Sequence, residues 1–324
     1  MSHASKILIT GGLGYVGGRI TAYLANAAPE LSLRLMTHRP LAEAPTWSRG
    51  IELVQADLRD QQSLVNAVSG IDVVIHLAAL NEIDSQNNPD LALEVNGRGT
   101  YQLLQACDAS GVRRFIYFST FHVYGPAASQ PITEATATRP IHPYAITHRL
   151  AEDYVNWFRH SRGMETLVLR LSNGYGYPSD RLVQRWTLVF NDLCTQVVRN
   201  REIRLRSQGA QHRDFIPLSD AARAVHHFLS LPPEKWMDGL FNLGGDCSMS
   251  ILQVARRVAA EFLNQYGKDA PVLTGDTEDT QSSDPVVYSI DKLRLTGFTL
   301  NGKISEEILG TFAVCEELAH QPTS

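Results

Sequence analysis

Gly11, Gly14 and Gly17 follow the apolar run Ile7-Leu8-Ile9 and precede the helix-like stretch Arg19 to Ala28. A strand, a glycine turn and a helix in that order form a cradle for dinucleotide phosphates. Gly11 permits the tight turn, Gly14 lets backbone approach a pyrophosphate without a Cβ in the way, and Gly17 lets the helix pack on the strand. Tyr15 and Val16 stand at the start of that helix, where free N–H groups and positive potential meet the phosphates. A second pointer comes twenty positions beyond Gly17, where NAD-binding chains place an acidic residue on the adenine ribose hydroxyls. Thr37 stands there instead, followed by His38 and Arg39. An uncharged Thr beside two basic groups suits a 2′-phosphate, so NADP is favoured over NAD; the plainer alternative is an Arg39 that only covers the adenine in a solvated loop.

These residues need a scaffold, and the first half of the chain supplies one. Strand-like runs at Ile7–Thr10, Leu31–Met36, Ile51–Gln55, Val73–Leu77, Phe115–Phe118 and Thr166–Leu171 alternate with helical patterns at Gln61–Val68, Asp90–Ser110 and Ala145–Ser161. That alternation predicts an α/β fold, a Rossmann-type doubly wound parallel sheet with helices on both faces. After Arg170 the rhythm breaks into Gly-, Tyr- and Pro-rich loops, which predicts a smaller C-terminal α/β substrate-binding portion. The division drawn is 1–170 plus 213–245 for the dinucleotide unit and 171–212 plus 246–324 for the substrate portion. Gly267–Asp284, rich in Asp, Thr, Ser and Gly, reads as a surface loop around at most a short strand.

Composition narrows the partners. The chain of 324 residues carries 29 basic and 34 acidic side chains, a balance that argues against nucleic acid and against a polybasic membrane surface. No stretch approaches the ~18 continuous apolar residues of a membrane span, and the N-terminus does not read as a signal peptide. Cys107, Cys194, Cys247 and Cys315 are widely spaced, which points to a reducing cytoplasm rather than a disulfide framework or zinc knuckle.

From end to end, the chain resembles the extended short-chain dehydrogenase/reductase family of nucleotide-sugar epimerases, dehydratases and reductases. Beyond the glycine turn the resemblance rests on Ala56-Asp57-Leu58-Arg59-Asp60, His76-Leu77-Ala78-Ala79, Val95-Asn96-Gly97-Arg98-Gly99-Thr100, Phe118-Ser119-Thr120, Val123-Tyr124-Gly125 and Pro143-Tyr144. It continues through Arg170-Leu171-Ser172-Asn173-Gly174-Tyr175-Gly176, Arg213-Asp214-Phe215-Ile216 with Asp220, and Phe241-Asn242-Leu243-Gly244-Gly245. The resemblance implies that Asp57 and Leu58 sit by the adenine, that Ala78 and Ala79 line the ribose side of the nicotinamide, and that Asn96 supports the site. It also implies a homodimer through Asp90–Ser110 and Ala145–Ser161.

Chemistry in this family moves a proton on or off a sugar hydroxyl while hydride passes between a sugar carbon and the nicotinamide. Tyr144 matches the phenol that carries the proton, which requires a pKa pulled down from ~10, and Thr120 matches the hydroxyl that bonds the same sugar oxygen. One helical turn after the Tyr the family pattern has Lys, whose ammonium holds the ribose and lowers the phenol pKa. His148 stands there. Three readings follow: a working Tyr/His pair with a neutral imidazole, an imidazole kept charged by its surroundings, or a degraded site that only binds ligand. The count of 24 Arg against 5 Lys makes a Lys-to-Arg drift ordinary, and does not explain a histidine.

In 4,6-dehydratases the two positions after the Thr carry an Asp and a Glu. Phe121 and His122 occupy them here, and an apolar Phe121 removes an acid the elimination requires. His122 is read as a second proton carrier beside Tyr144 or as a pocket-wall histidine. His122, His142 and His148 invite a metal reading, which the absence of carboxylates at ligand spacing and the nearby redox cofactor disfavour. Asn173 and Arg213 match positions that hold a substrate diphosphate. The second Arg that relatives place near the C-terminal loop is missing from Thr280-Gln281-Ser282-Ser283-Asp284, leaving Arg181, Arg185, Arg204 and Arg206 as candidates to compensate. The expected activity is hydride transfer at a ring carbon of a nucleotide-activated sugar, C4 above others, as an epimerase or a 4-ketoreductase. The rival from another class is a non-catalytic NAD(P)-binding sensor or interaction protein.

Overall fold

The computed structural model describes residues 5–126, 130–181, 183, 185–277 and 284–319. Short runs of Val, Ile and Leu, too apolar to face water on either side, become the strands of a central parallel sheet. In chain order the first half forms β1 (Lys6–Thr10), α1 (Tyr15–Ala27), β2 (Ser32–Thr37), β3 (Glu52–Gln55), α2 (Gln61–Val68), β4 (Val73–His76), α3 (Glu82–Asn87), α4 (Pro89–Ala92), α5 (Gly99–Ala109), β5 (Arg114–Thr120), α6 (Pro143–Arg162) and β6 (Glu165–Leu171). The second half adds β7 (Asn173–Tyr175), α7 (Val189–Asn200), β8 (Ile203–Arg204), β9 (His212–Pro217), α8 (Leu218–Ser230), β10 (Leu240–Leu243), β11 (Ser248–Ser250), α9 (Ile251–Tyr266), β12 (Val272–Leu273), α10 (Asp291–Leu295) and α11 (Ile304–Ala319).

Seven strands line up as β3-β2-β1-β4-β5-β6-β10, all parallel, so the order reverses between β1 and β4. The carboxyl ends of those two strands therefore open a crevice, the usual place for a ligand in this architecture. One face is sealed by Ile9, Ile20, Leu24, Val225 and Phe228, the other by Leu8, Val74, Leu103, Leu104 and Val155. A third core of Tyr175, Phe190, Phe215, Val258, Phe262 and Phe312 fills the portion built on α7, α9 and α11.

The doubly wound sheet agrees with the sequence expectation, and α2 has the predicted bounds. The predicted helix 90–110 is instead interrupted: between α4 and α5 the turn Leu93–Arg98 is a π-helix, so one extra residue is accommodated there. Residues 213–217, assigned by sequence to the dinucleotide unit, lie in β9, which pairs with β7 and β11 in a small separate sheet. Conversely Ile290, Leu293 and Phe298, assigned to the substrate portion, pack into the core under α8. Within the predicted loop 267–284, β12 is the short strand, pairing with β8; residues 278–283 lie outside the described residues.

A buried seam joins the two portions. Arg19 on α1 donates to both carboxylate oxygens of Glu307 on α11, at 2.7 and 2.8 Å, and Glu307 also accepts from the Ser219 amide. Among the described residues no helix is long and apolar enough to cross a membrane.

Candidate active site

Built from the glycine turn outward, the site first shows why Gly11 and Gly17 are glycines. Gly11 has a φ of +68°, and a Cβ on Gly17 would lie 2.2 Å from the Gly11 carbonyl oxygen. Gly14, at the N-cap of α1, offers no side-chain cap, which leaves the first amides of that helix open to a phosphate. Val16 is half-buried on the adjoining turn. The Tyr15 side chain serves another purpose. Its hydroxyl donates to the Gly176 carbonyl at 2.6 Å and lies 3.2 Å from the Asn191 amide oxygen, so the side chain fastens α1 to the substrate portion, and what it offers a cofactor is backbone.

The adenine end is defined by β2 and β3. The Thr37 hydroxyl accepts from the Arg39 amide at 3.1 Å, and His38 and Arg39 are exposed. Asp57 is held by Arg59 at 2.6 Å, which carries its carboxyl down to about 2. The Leu58 side chain is buried between the sheet and α5, with Gly99 close against its Cβ, so what it offers the adenine is backbone. Ala78 and Ala79 follow the end of β4, with the Ala78 amide donating to Thr10 Oγ1.

The π turn positions Asn96. Its side-chain oxygen accepts from the Leu80 amide at 2.7 Å, and its nitrogen donates to the Leu80 carbonyl and to Thr147 on α6. Asn96 thus pins the loop after β4 to the helix that carries Tyr144. His76 braces the same region, with Nδ1 2.6 Å from Thr10 Oγ1 and Nε2 2.9 Å from Thr100 Oγ1. Thr100 spends its proton on the Asn96 carbonyl, so His76 Nε2 must donate and Nδ1 must accept; burial pushes this neutral ring down to about 3.

Tyr144, His148 and Glu152 stand one turn apart on α6, sharing the face turned to β5. Thr120, at the end of β5, stands near the Tyr144 phenol and favours its ionised form. The phenol lies above its ordinary value, as the neutral-imidazole reading implies: burial raises it, and the Arg185 charge and Thr120 only partly offset this. His148 is buried, its ring 4.4 Å from that of Tyr144, with Nδ1 2.7 Å from the Tyr117 hydroxyl. That bond to Tyr117 fixes the ring's orientation, and Nε2 is buried without a partner. Burial pushes His148 down to about 4 despite nearby Glu152, which favours the neutral-imidazole reading over the charged one.

Glu152, which sequence reasoning missed, accepts from Ser119 and from Arg170 at 2.9 and 2.7 Å; these pairings hold its carboxyl below the ordinary value against the opposite pull of burial. Its spacing after His148 was the available signal, as was the alternation that sets Tyr117 and Ser119 on one face of β5.

At the outer edge, His122 lies in the turn after β5, held by Thr120 Oγ1, and burial pushes it down to about 4. Its Nε2 is 3.8 Å from a Glu82 carboxylate oxygen, and its ring is 5.1 Å from that of His142. Glu82 supplies the carboxylate that sequence spacing lacked; forty residues of intervening chain hid it. Arg213 reaches this edge electrostatically, next to Glu82 and His122, and donates to Gln211. Asn173 donates to the Asp214 carbonyl at 2.8 Å, beside Arg213 on β9. Of the compensating arginines, Arg185 faces Tyr144, whereas Arg204 is exposed and paired with Glu202 and Arg206 is exposed.

A dinucleotide cradle, a Thr/Tyr proton pair and a doubly wound sheet define an enzyme that works through a bound nicotinamide nucleotide. The site fits that cofactor by two observations: the glycine turn packs so tightly that a side chain on Gly17 would collide with the Gly11 carbonyl and disrupt it, and His148 Nε2 is a buried polar atom without a partner.

The chain belongs to the NAD dependent epimerase/dehydratase family, whose model matches residues 7–244. It is 27% identical over 269 residues to the dTDP-D-glucose 4,6-dehydratase of Mus musculus, across 79% of this chain and 73% of the relative. A UDP-glucose 4-epimerase of Streptomyces lividans is 28% identical over 269 residues, across 79% and 80%. The UDP-glucose 4-epimerase of Thermotoga maritima, solved with UDP-glucose, matches at a TM-score of 0.81 and 21% identity, across 97% of this chain and 100% of that one. Other solved neighbours are complexes with NAD and with NADPH.

Proposed function

We propose that this chain transfers hydride at C4 of a nucleotide-activated sugar, as an epimerase or a 4-ketoreductase, with NADP preferred over NAD. The observation that carries this reading is the placement of Thr120, at the end of β5, and Tyr144, in the first turn of α6, together at the carboxyl edge of the sheet that also bears the glycine cradle. A nicotinamide held there supplies the hydride acceptor and donor. Tyr144 moves the proton at the sugar oxygen, Thr120 bonds the same oxygen, and His148 Nε2 donates to a ribose hydroxyl. A phenol that stays protonated is ready to give its proton to a ketone oxygen, which leans the reading toward reduction. Asn173 and Arg213 are the candidates for the diphosphate, and a two-fold dimer through α5 and α6 is part of the same reading.

Phe121, half-buried against His122 and Tyr288, offers no acid where dehydratases have one. Glu82 is the one observation that keeps dehydration as a second reading, because it brings a carboxylate to His122.

One experiment separates these outcomes. The purified chain is titrated with NADPH and NADH and then incubated with UDP- and dTDP-sugars and their 4-keto forms, with products identified by mass. NADPH should bind more tightly, with Arg39→Ala erasing the difference, and Tyr144→Phe should lower turnover by roughly 10²–10⁴-fold at little cost in cofactor affinity. Turnover surviving Tyr144→Phe within a factor of a few removes Tyr144 from the chemistry. A product that has lost water selects the dehydratase, and cofactor binding without turnover on any substrate selects the non-catalytic rival.

A further inference from the structure

We infer that Glu82, His122 and His142 form a binding site for one divalent transition-metal cation at the mouth of the sugar pocket. Each offers a ligand atom within 4.8 Å of the others, although they come from three separate elements. Two imidazoles and a carboxylate are a ligand set that suits zinc and its neighbours in the first transition row, and they leave coordination positions open to water or a substrate oxygen.

The backbones that carry these groups are fixed. Glu82 opens α3 directly after Asn81, whose side chain caps the helix by accepting from the amides of Ile83 and Asp84. His122 is anchored through its amide to Thr120, and His142 is the N-cap residue of α6, followed by Pro143. Only side-chain torsions therefore need to adjust. Zinc holds ligands at ~2.0–2.2 Å, so its ligand atoms stand ~3.4 Å apart and the widest present spacing must close by up to about 1.4 Å.

Neither a proton relay nor a helix cap accounts for the cluster as well. A relay dyad needs a hydrogen bond, and Glu82 and His122 at 3.8 Å are beyond one. A purely structural His142 would use its ring as the helix cap, yet its bond from the Ala145 amide is long at 3.4 Å. Binding a cation at either ring nitrogen gives that weak bond up. Polar groups that face the cluster include Tyr144, whose ring lies parallel to His142 at an interplanar angle of 7°, His148 and Arg213. With Arg213 beside it, an occupied site carries net positive charge toward the pocket, which attracts an anionic nucleotide-sugar rather than a neutral one.

The test reads binding and does not depend on turnover. Tag-free chain, stripped with chelator, is titrated with Zn2+ by calorimetry and with Co2+ by visible absorption. The expected result is one cation per chain and cobalt bands of a low-symmetry nitrogen and oxygen site. His122→Ala, His142→Ala and Glu82→Gln should each weaken binding by more than the ~10–100-fold that loss of an outer partner costs, while His160→Ala, on the exposed end of α6, leaves it unchanged. Circular dichroism of each variant confirms that it is folded. No stoichiometric binding to the wild type, or binding that survives all three substitutions, overturns the site.

Discussion

The phenol of Tyr144 stays protonated through neutral pH, because burial raises its pKa and the imidazole one turn away carries no charge to counter that. Oxidation of a sugar alcohol needs the phenolate, so its rate should climb with pH toward the alkaline side. Reduction of a ketone uses the phenol and should stay flat across neutrality. His148→Lys places an ammonium near the phenol, and a charge at that range shifts a pKa by about 1–3 units, so the oxidative profile should move to lower pH by that amount. Initial rates against pH for wild type, His148→Lys and His148→Ala check this; three superimposable profiles would mean that position 148 does not tune the proton step. Much of the site was legible in the sequence because its residues sit at fixed offsets, as Tyr144 and His148 do on one helix. Glu82 and Tyr15 were not. Glu82 arrives through tertiary folding alone, and the Tyr15 hydroxyl turns away to Gly176, which lies 161 positions on.

Helix α6 is held to β5 and β6 by a buried cluster that does no chemistry of its own. Glu152 receives Arg170, Ser119 and Arg149, and both Glu152 and Arg170 are 3% exposed. Breaking such a pair strands the remaining charge away from water, at a cost of about 3–5 kcal/mol, whereas replacing both partners with apolar side chains is often close to neutral. Denaturant unfolding should therefore show Glu152→Ala destabilised by about that much, with Glu152→Leu/Arg170→Met recovering most of it. A loss under about 1 kcal/mol in Glu152→Ala would show that water reaches the pair. Elements were legible in the sequence wherever one period persisted, as in α2. The π turn at Leu93–Arg98 was not, since its apolar spacing continues that of the flanking helices.

Beyond a single copy of the chain, the outer faces of the helices from Leu93 through α6 expose Leu93, Ile146 and Trp157 at 48%, 49% and 42%. Apolar side chains gathered on two neighbouring helices are what a second copy would cover. Light scattering should give twice the mass of one chain, and Ile146→Glu/Trp157→Glu should reduce it to one. A monomeric wild type at all concentrations would remove the dimer from the proposed function. The doubly wound parallel sheet was readable from the alternating pattern of the first half; the pairing of β9 with β7 and the packing of Ile290 to Phe298 under α8 were not, because both depend on contacts far apart in sequence.

The Arg19–Glu307 seam bears on how the molecule is made. Its partners are 288 positions apart, so during synthesis α1 emerges with a guanidinium whose counter-ion has yet to be translated. Until α11 leaves the ribosome, that charge must stay hydrated and the flank of α1 open to water. The N-terminal sheet can assemble early on the nascent chain, but contacts of such long separation are slow to close, and the final sealing step waits for the last helix.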